Sequence, residues 1–176
     1  PRQGGIIGIN LRDEDRLVDV KMTDGNKQLM IATKDGRAVR FKESDVKAVG
    51  RNSIGVSGIR IRDSEVVGMD IVSAPYLLTI TEKGYGKRSE VNDYRLITRG
   101  GSGVTNIKIT EKNGNVVAIK VVKDDDEILC VTNKGQIIRM KVNEISRIGR
   151  NTQGVRLMRL KEEDTISNVS LVVNEN

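Results

Sequence analysis

The 176-residue sequence predicts an all-β protein of propeller-like, four-stranded blades, forming an incomplete ring of about three and a half repeats. Four similar apolar segments each open with an anchor glycine, at steps of 50, 48 and 51 residues. A Thr-x-x-Gly motif also recurs, and its landmark glycines are spaced 48 and 51 residues apart. A period near 50 residues indicates a repeat architecture. The anchor glycines are Gly5, Gly55, Gly103 and Gly154, and the landmark glycines are Gly36, Gly84 and Gly135.

Each unit is predicted to hold four strands. Turn residues separate the strands, as in Asp24-Gly25-Asn26 and Lys34-Asp35-Gly36. β-branched residues dominate the strands, most clearly over residues 116–122. Because no segment keeps a 3.6-residue apolar period beyond about two turns, the units are blades rather than helix pairs. In the first unit the predicted strands cover about 6–11, 17–22, 28–33 and 37–41.

The whole chain, residues 1–176, is predicted to be one repeat domain. Since a closed propeller usually has roughly four to eight blades, we expect an open arc with exposed blade edges. Pairing of those edges with another copy is the alternative. The sequence begins at Pro1 in mid-pattern, which suggests a piece of a longer, soluble, intracellular protein. The repeats cover about 5–54, 55–102 and 103–153, followed by a half repeat at 154–176.

Composition excludes several classes of site. The absence of histidine excludes His-ligated zinc, a Ser-His-Asp triad and a Cys-His pair. Cys130 is the only cysteine, and its apolar surroundings predict a buried, inert thiol. One Phe, three Tyr and no Trp disfavour single-strand binding by base stacking. No apolar run approaches the about 18 residues of a membrane helix.

Positive charge is concentrated in one part of each unit. The net charge of the chain is +6. Residues 36–54, 84–102 and 135–153, which hold the fourth strand and the connection after it, carry +3, +2 and +3. The remainder of the chain is therefore slightly negative. A basic surface of this kind predicts an acidic partner, with nucleic acid as the first hypothesis.

Three sets of cations recur at matching positions. An arginine stands four residues after each landmark glycine, and another stands four residues before the next anchor glycine. The fifth position after an anchor glycine is Asn10 in the first unit and a cation in the other three. Strand alternation directs this last set away from the core. Arginine suits phosphate because its planar fork donates two hydrogen bonds, although a solvated strand face is the alternative explanation. The sets are Arg40, Arg88 and Arg139; Arg51, Arg99 and Arg150; and Arg60, Lys108 and Arg159.

Other motifs give weaker signals. Acidic clusters at 13–15, 124–126 and 162–164 lack the spacing of a calcium loop and are interpreted as solvated turns. The glycine-rich segments 84–88 and 99–103 lie beside cations, where backbone amides can approach phosphate. Tight turns explain those glycines equally well. No cofactor or metal site is predicted.

Four segments carry a family resemblance: 5–11, 36–44, 84–88 and above all Gly149-Arg150-Asn151-Thr152-Gln153-Gly154-Val155. Together they resemble the C-terminal domain of bacterial DNA gyrase A, which is part of a type IIA topoisomerase, without its first blades. The matching spacing covers essentially the whole chain. The equivalent domain of topoisomerase IV is the nearest relative with which it can be confused.

The resemblance implies a β-pinwheel, in which neighbouring repeats exchange a strand. It also implies a basic outer rim that binds and wraps duplex DNA without sequence specificity and so supports negative supercoiling. By position, the nine cations named above are candidates for rim contacts. The cleavage tyrosine and the ATPase lie elsewhere in the family, so the isolated domain is expected to be non-catalytic. The implied partners are double-stranded DNA, the rest of gyrase A and gyrase B, in the bacterial cytoplasm at the nucleoid, with no membrane.

One departure from the family concerns its diagnostic box, Gln-Arg-Arg-Gly-Gly-Lys-Gly. The box is not present, and Arg99-Gly100-Gly101-Ser102-Gly103 resembles its second half with Ser in place of Lys. The resemblance places the start of this chain near the third of about six blades. We therefore expect DNA binding without full wrapping. A propeller-like interaction module with an acidic protein partner is the alternative, and an enzyme with a Ser-Lys dyad is a weaker one.

Overall fold

The computed structural model describes residues 4–172, and within that range it contains eleven strands and three 3₁₀ helices. This confirms the predicted all-β class. The 3₁₀ helices are Glu43–Asp45, Val91–Asp93 and Val142–Glu144. The strands are β1 (Gln28–Thr33), β2 (Arg37–Lys42), β3 (Val66–Ile71), β4 (Tyr76–Thr81), β5 (Tyr85–Glu90), β6 (Val104–Thr105), β7 (Val116–Val122), β8 (Glu127–Thr132), β9 (Ile137–Lys141), β10 (Val155–Arg156) and β11 (Ile166–Leu171).

Every sheet combines strands from successive units. The first sheet has the order β3-β1-β2-β6, the middle sheet β10-β5-β4-β7, and the third sheet β11-β8-β9. A hairpin from one unit, such as β1 and β2, is joined by the second strand of the next unit and the first strand of the unit after that. All pairings between named strands are antiparallel. This strand exchange agrees with the pinwheel that the resemblance implies.

Two of the four strands predicted for the first unit are absent, and the first strand expected in the second unit is only an isolated bridge between Ile59 and Gly101. Residues 6–11 and 17–22 pair with no sheet, and their apolar side chains are exposed, with Met22 at 91%. The equivalent segments of later units pair with hairpins of preceding units, and within residues 4–172 no hairpin precedes these two segments. Because a strand depends on a partner for its backbone hydrogen bonds, the apolar pattern alone does not form one here. The predicted strands 28–33 and 37–41 are confirmed as β1 and β2.

The landmark motif forms the hairpin turn of each sheet. The amide of each landmark glycine donates to the carbonyl of the preceding Thr, at 3.0 to 3.1 Å. The glycine φ angles of 78° to 82° lie in the left-handed region, which favours glycine. A Cβ on Gly36 would lie 2.3 Å from the Ile107 carbonyl oxygen. The glycine therefore also allows the opening segment of a later unit to pass close by.

The apolar core lies between and along the sheets. One cluster joins the middle and third sheets and includes Leu78, Ile128 and Val169. A second joins the first and middle sheets and includes Leu77 and Met30. Strand β4 is buried at all six residues because core clusters flank it on both sides. Cys130 is fully buried in the first of these clusters, which confirms its predicted burial, and burial raises the pKa of its thiol to about 11.

Candidate nucleic-acid interface

Two of the three arginines that follow the landmark glycines, Arg40 and Arg88, connect neighbouring units. Arg88 is only 9% exposed, and its Nε donates to the Ile145 carbonyl at 2.7 Å. Its guanidinium also pairs with Asp124 and stacks on the Tyr76 ring, 4.9 Å from the centroid. These contacts hold the residues around the next unit's 3₁₀ helix. Most donors of Arg88 are therefore occupied within the protein.

Arg40 makes the matching contacts one unit earlier. Its Nη1 donates to the carbonyls of Val91 at 3.0 Å and Tyr94 at 3.3 Å, and its Nε donates to Gln28 at 2.7 Å. Burial lowers the pKa of Arg40, although the guanidinium remains charged at neutral pH. Arg139, the third member of the set, is exposed and pairs with Glu127.

The second set lies on the exit segments, which we define as residues 46–54, 94–102 and 145–153. Arg99 donates to the Asp45 carbonyl at 2.8 Å and the Ser57 carbonyl at 3.1 Å. Arg150 donates to the Thr105 carbonyl at 2.7 Å. Both are half-buried, and Arg51 is exposed. Arg99 thus connects its exit segment to the start of its own unit and to the 3₁₀ helix of the preceding unit, and Arg150 connects its exit segment to β6.

The third set is exposed throughout. Arg60, Lys108 and Arg159 lie on the opening segments, which we define as residues 5–11, 55–61, 103–109 and 154–160, and all three point to solvent. In each complete unit the fifth residue after the anchor glycine donates its amide to the exit segment. The three bonds are Asn10 to Ser53 at 3.0 Å, Arg60 to Gly101 at 2.9 Å, and Lys108 to Thr152 at 2.8 Å. These bonds place Arg60 and Lys108 beside the exit segments of their own units, and within residues 4–172 Arg159 makes no matching bond.

Lys87 is a buried cation that the sequence reasoning missed. Its side chain is 0% exposed, and Nζ donates to Ser89 Oγ at 2.7 Å and to the Gly149 and Arg150 carbonyls at 2.9 and 3.1 Å. Burial lowers the pKa of Lys87 to about 8; the charge of Arg150 also lowers it and that of Asp93 opposes this. Alignment of the repeats could have found it, because the position that Lys87 occupies in β5 holds the apolar Val39 in β2. Lys87 attaches the third exit segment to β5.

Three further cations were also missed. Lys83, Lys112 and Arg156 lie with Arg159 around Tyr85, in a cleft of about 320 Å³. Lys83 directly precedes a landmark glycine, and Arg156 stands two residues after an anchor glycine. Their positions differ in residue type from unit to unit, so a search for repeated charges passes over them.

A family model for the DNA gyrase C-terminal domain, beta-propeller, matches residues 1–24, 27–73, 75–123 and 126–172. The chain belongs to this DNA gyrase C-terminal domain family. It is similar to the DNA gyrase A protein of Haloquadratum walsbyi, with 43% identity over 172 residues, which is 96% of this chain and 20% of that protein. The chain therefore spans about a fifth of the length of the curated relatives it matches.

Solved structures agree with membership of the gyrase family. A DNA gyrase A C-terminal domain superposes with a TM-score of 0.90 at 30% identity, covering 98% of this chain and 59% of that one. The C-terminal domain of a DNA topoisomerase IV follows with a TM-score of 0.88 at 28% identity, covering 94% of this chain and 52% of that one. The resemblance inferred from the sequence and the predicted fold class are both confirmed.

Segment 99–103, which the resemblance predicts to be a degenerate counterpart of the family's box, forms a tight turn. Gly100 has a φ of 79°, and its amide donates to the Gly58 carbonyl at 2.6 Å. A Cβ on Gly103 would lie 2.3 Å from the Ala38 carbonyl oxygen. Ser102, in place of the family's lysine, is exposed, and its carbonyl accepts a hydrogen bond from Arg37 at 2.7 Å. Backbone conformation and packing thus account for these glycines.

The three tyrosines of the sequence take part in packing and hydrogen bonding within the protein. Tyr76, Tyr85 and Tyr94 are buried, and their hydroxyls bond Arg147, Arg156 and Asn106 respectively. Across residues 4–172, no three His, Cys, Asp or Glu side chains converge on a point where a metal ion fits. In the same range, no helix has the length and apolar character needed to span a bilayer.

Proposed function

We propose that this chain binds duplex DNA without sequence specificity along a rim formed by its paired opening and exit segments. We assign the rim contacts to Arg51, Arg60, Lys108 and Arg159, which are exposed cations of these segments. Arg139 lies outside them in β9 and pairs with Glu127, so it is not assigned to the rim. Arg99 and Arg150 hold the rim together, whereas Arg40 and Arg88 connect the blades. The domain itself is assigned no catalytic role and no cofactor.

The observation that supports this proposal is the repeated bond between opening and exit segments. The backbone amides of Arg60 and Lys108 donate such bonds themselves, so their exposed side chains lie at matching positions of successive units. Cations repeated in this way neutralise backbone phosphates of any sequence, and release of counterions supplies most of the affinity. Bending DNA by 40–90° costs on the order of 1–6 kcal/mol, which several contacts of this kind offset.

Within a gyrase, such binding would present DNA to the strand-passage core formed by the rest of gyrase A together with gyrase B. That role would place the chain at the bacterial nucleoid. Because the family's box is degenerate in this sequence, we propose that the chain guides and bends DNA but does not complete a wrap by itself. The similarity to topoisomerase IV supports the corresponding role in that enzyme as a second candidate.

Titration of a fluorescent random-sequence duplex between about 50 and 200 mM NaCl tests the proposal. Four phosphate contacts predict a slope of log K against log salt of about −3.6. The variant Arg60→Gln/Lys108→Gln/Arg159→Gln should reduce the magnitude of that slope by about 3. The charge-matched control Arg12→Gln/Lys123→Gln/Lys141→Gln changes exposed cations outside the rim segments and should leave the slope nearly unchanged.

Equal slopes for the two triple variants would contradict the rim assignment. Absence of binding at about 50 mM NaCl would contradict DNA binding itself. Competition separates the acidic-protein alternative, because unlabelled duplex should displace the probe and poly-glutamate should not.

A further inference from the structure

We infer that the cleft around Tyr85 is a binding site for a backbone phosphate of duplex DNA. The inference rests on the proposed function and adds to it a specific site in the middle blade. We call this site the Tyr85 cleft. It is lined by Lys83, Tyr85, Lys112, Arg156, Arg159 and Asp164.

The cations of the Tyr85 cleft are arranged around one ring. Arg156 lies over the Tyr85 ring at 5.4 Å from its centroid, and Lys112 Nζ lies 5.8 Å from the same centroid. Arg156 also donates from Nε and Nη2 to the Tyr85 hydroxyl, at 3.2 and 2.9 Å. Stacking and these two hydrogen bonds fix the plane of the guanidinium. A fixed planar fork is the geometry that suits phosphate.

Strand exchange assembles the cleft from three units. Lys83 and Tyr85 come from the second unit, Lys112 from the third, and Arg156 from the half repeat, where it belongs to β10. Arg156 lies opposite Tyr85 because β10 pairs with β5 in that register. The site therefore exists only when the strand of the later unit is in place.

The charges of the Tyr85 cleft are not neutralised by the protein. Within residues 4–172, none of its four cations has a carboxylate oxygen within 4.0 Å, whereas Arg88, Arg139 and Arg147 each form an ion pair. Lys83 Nζ donates once, to the Glu111 carbonyl at 2.6 Å, and an ammonium has three donors. Four like charges around one cleft repel one another, and an anion relieves that repulsion.

Asp164 limits where the anion can lie. Its Oδ1 accepts from the amides of Lys134 at 3.1 Å and Thr165 at 2.8 Å, and its Oδ2 is buried without a partner. Burial alone would raise the pKa of Asp164, but the nearby Thr132 hydroxyl and these two amides hold it below its ordinary value. The carboxylate is therefore ionised, and it excludes phosphate from its border of the cleft. The remaining space lies beside the cations.

A similar cleft occurs in the preceding blade. It measures about 330 Å³ and is lined by Arg37, Arg60, Arg62 and Asp35 among others. Like the Tyr85 cleft, it lies between a landmark turn and the segments of later units. Here Arg37 is bound to the Ser102 and Gly103 carbonyls, at 2.7 and 2.9 Å, which leaves Arg60 and Arg62 as its exposed cations. Recurrence from blade to blade suits a repeating polyanion better than a single small anion, so we assign the site to DNA.

The test uses two lysines that are absent from the proposed rim. Lys83→Gln/Lys112→Gln removes two exposed charges from the cleft, and Lys123→Gln/Lys141→Gln removes two exposed lysines elsewhere. With the same duplex, the cleft variant should reduce the salt slope by about 1 to 2 and the affinity at 0.1 M NaCl by about tenfold or more. The control pair should stay within about twofold of the unmodified chain. Tyr85→Phe should weaken binding by a smaller factor, because Arg156 loses the hydroxyl that orients it.

The outcomes separate this inference from the proposed function. If the unmodified chain binds duplex DNA and the cleft variant matches its control, the cleft inference is wrong and the rim proposal stands. If the unmodified chain shows no salt-dependent binding, both are wrong. Sodium phosphate at constant ionic strength should compete weakly; competition at micromolar concentration would reassign the cleft to a free phosphate and overturn the inference.

Discussion

The middle and third sheets are built from the same repeat, but residues at matching positions have different surroundings. Strand β5 is buried over its first five residues, whereas β9 alternates between exposed and half-buried. A Cβ on Gly84 would lie 2.8 Å from the Met158 carbonyl oxygen, and one on Gly135 would meet nothing within 4 Å. The difference arises because β10 covers the edge of the middle sheet, and within residues 4–172 no strand does so for the third. Neighbouring units, rather than local motifs, therefore determine what these residues do.

The largest expected difference concerns the two leucines at matching positions of β4 and β8. Leu78 is 1% exposed in the core between the sheets, and Leu129 is half-buried. Leu78→Ala should lower the free energy of unfolding by about 3–5 kcal/mol, because it removes buried methyl groups and leaves a cavity. Leu129→Ala should cost about half as much. Chemical denaturation followed by circular dichroism measures both.

Equal losses for the two leucine variants would show that the third sheet is covered as fully as the middle one in solution. The slope of unfolding free energy against denaturant should remain the same in both variants, since the fold is unchanged. A changed slope would instead indicate loss of cooperativity between blades.

An intermediate difference is expected for the arginines that follow the landmark glycines. Arg88→Met keeps an apolar stem but leaves the Ile145 carbonyl without its donor and Asp124 without its partner. The unfolding free energy should fall by about 2–3 kcal/mol, because buried acceptors lose their hydrogen bonds. Arg139→Met removes an exposed pair with Glu127 and should cost less than about 1 kcal/mol.

Thermal unfolding of the matched arginine variants provides the measurement. A loss at Arg139 as large as that at Arg88 would contradict the view that unit-to-unit contacts give Arg88 its role. The DNA affinity of Arg88→Met at low temperature, where the variant remains folded, should stay close to that of the unmodified chain, since Arg88 is excluded from the rim.

Strands and turns that depend on adjacent residues could be predicted from the sequence. Pairings and contacts that depend on distant units could not. Strands β1 and β2 follow from alternation and turn chemistry, which are properties of adjacent residues. The segment 17–22 has a similar apolar pattern but forms no strand, because its partner would come from another unit. Arg60 was predicted correctly to point outward, since alternation fixes its side. The burial of Arg88 depends on carbonyls about 57 residues away, which no local pattern reveals.

The smallest expected effect is a pH dependence that comes from Lys87. Its pKa is about 8 in the folded chain, below the value of about 10.5 for an unfolded lysine. Between those values the unfolded state binds more protons, so stability should rise with pH. Below about pH 8 Lys87 is protonated in both the folded and the unfolded state, so its ionisation no longer changes the unfolding free energy with pH. From pH 8 to 9.5 the unfolding free energy should increase by about 1–2 kcal/mol.

The matched control is Lys87→Ile, because Ile138 occupies the equivalent position of the third sheet. This variant should lose the rise with pH while remaining folded. Burial raises the pKa of Tyr94, so its ionisation in the unfolded state would lower stability above about pH 10 and mask the effect of Lys87. Denaturation series should therefore stop at pH 9.5. If the unfolding free energy of Lys87→Ile rises equally with pH, another group causes the pH dependence. Lys87 would then not account for a difference between the middle and third sheets.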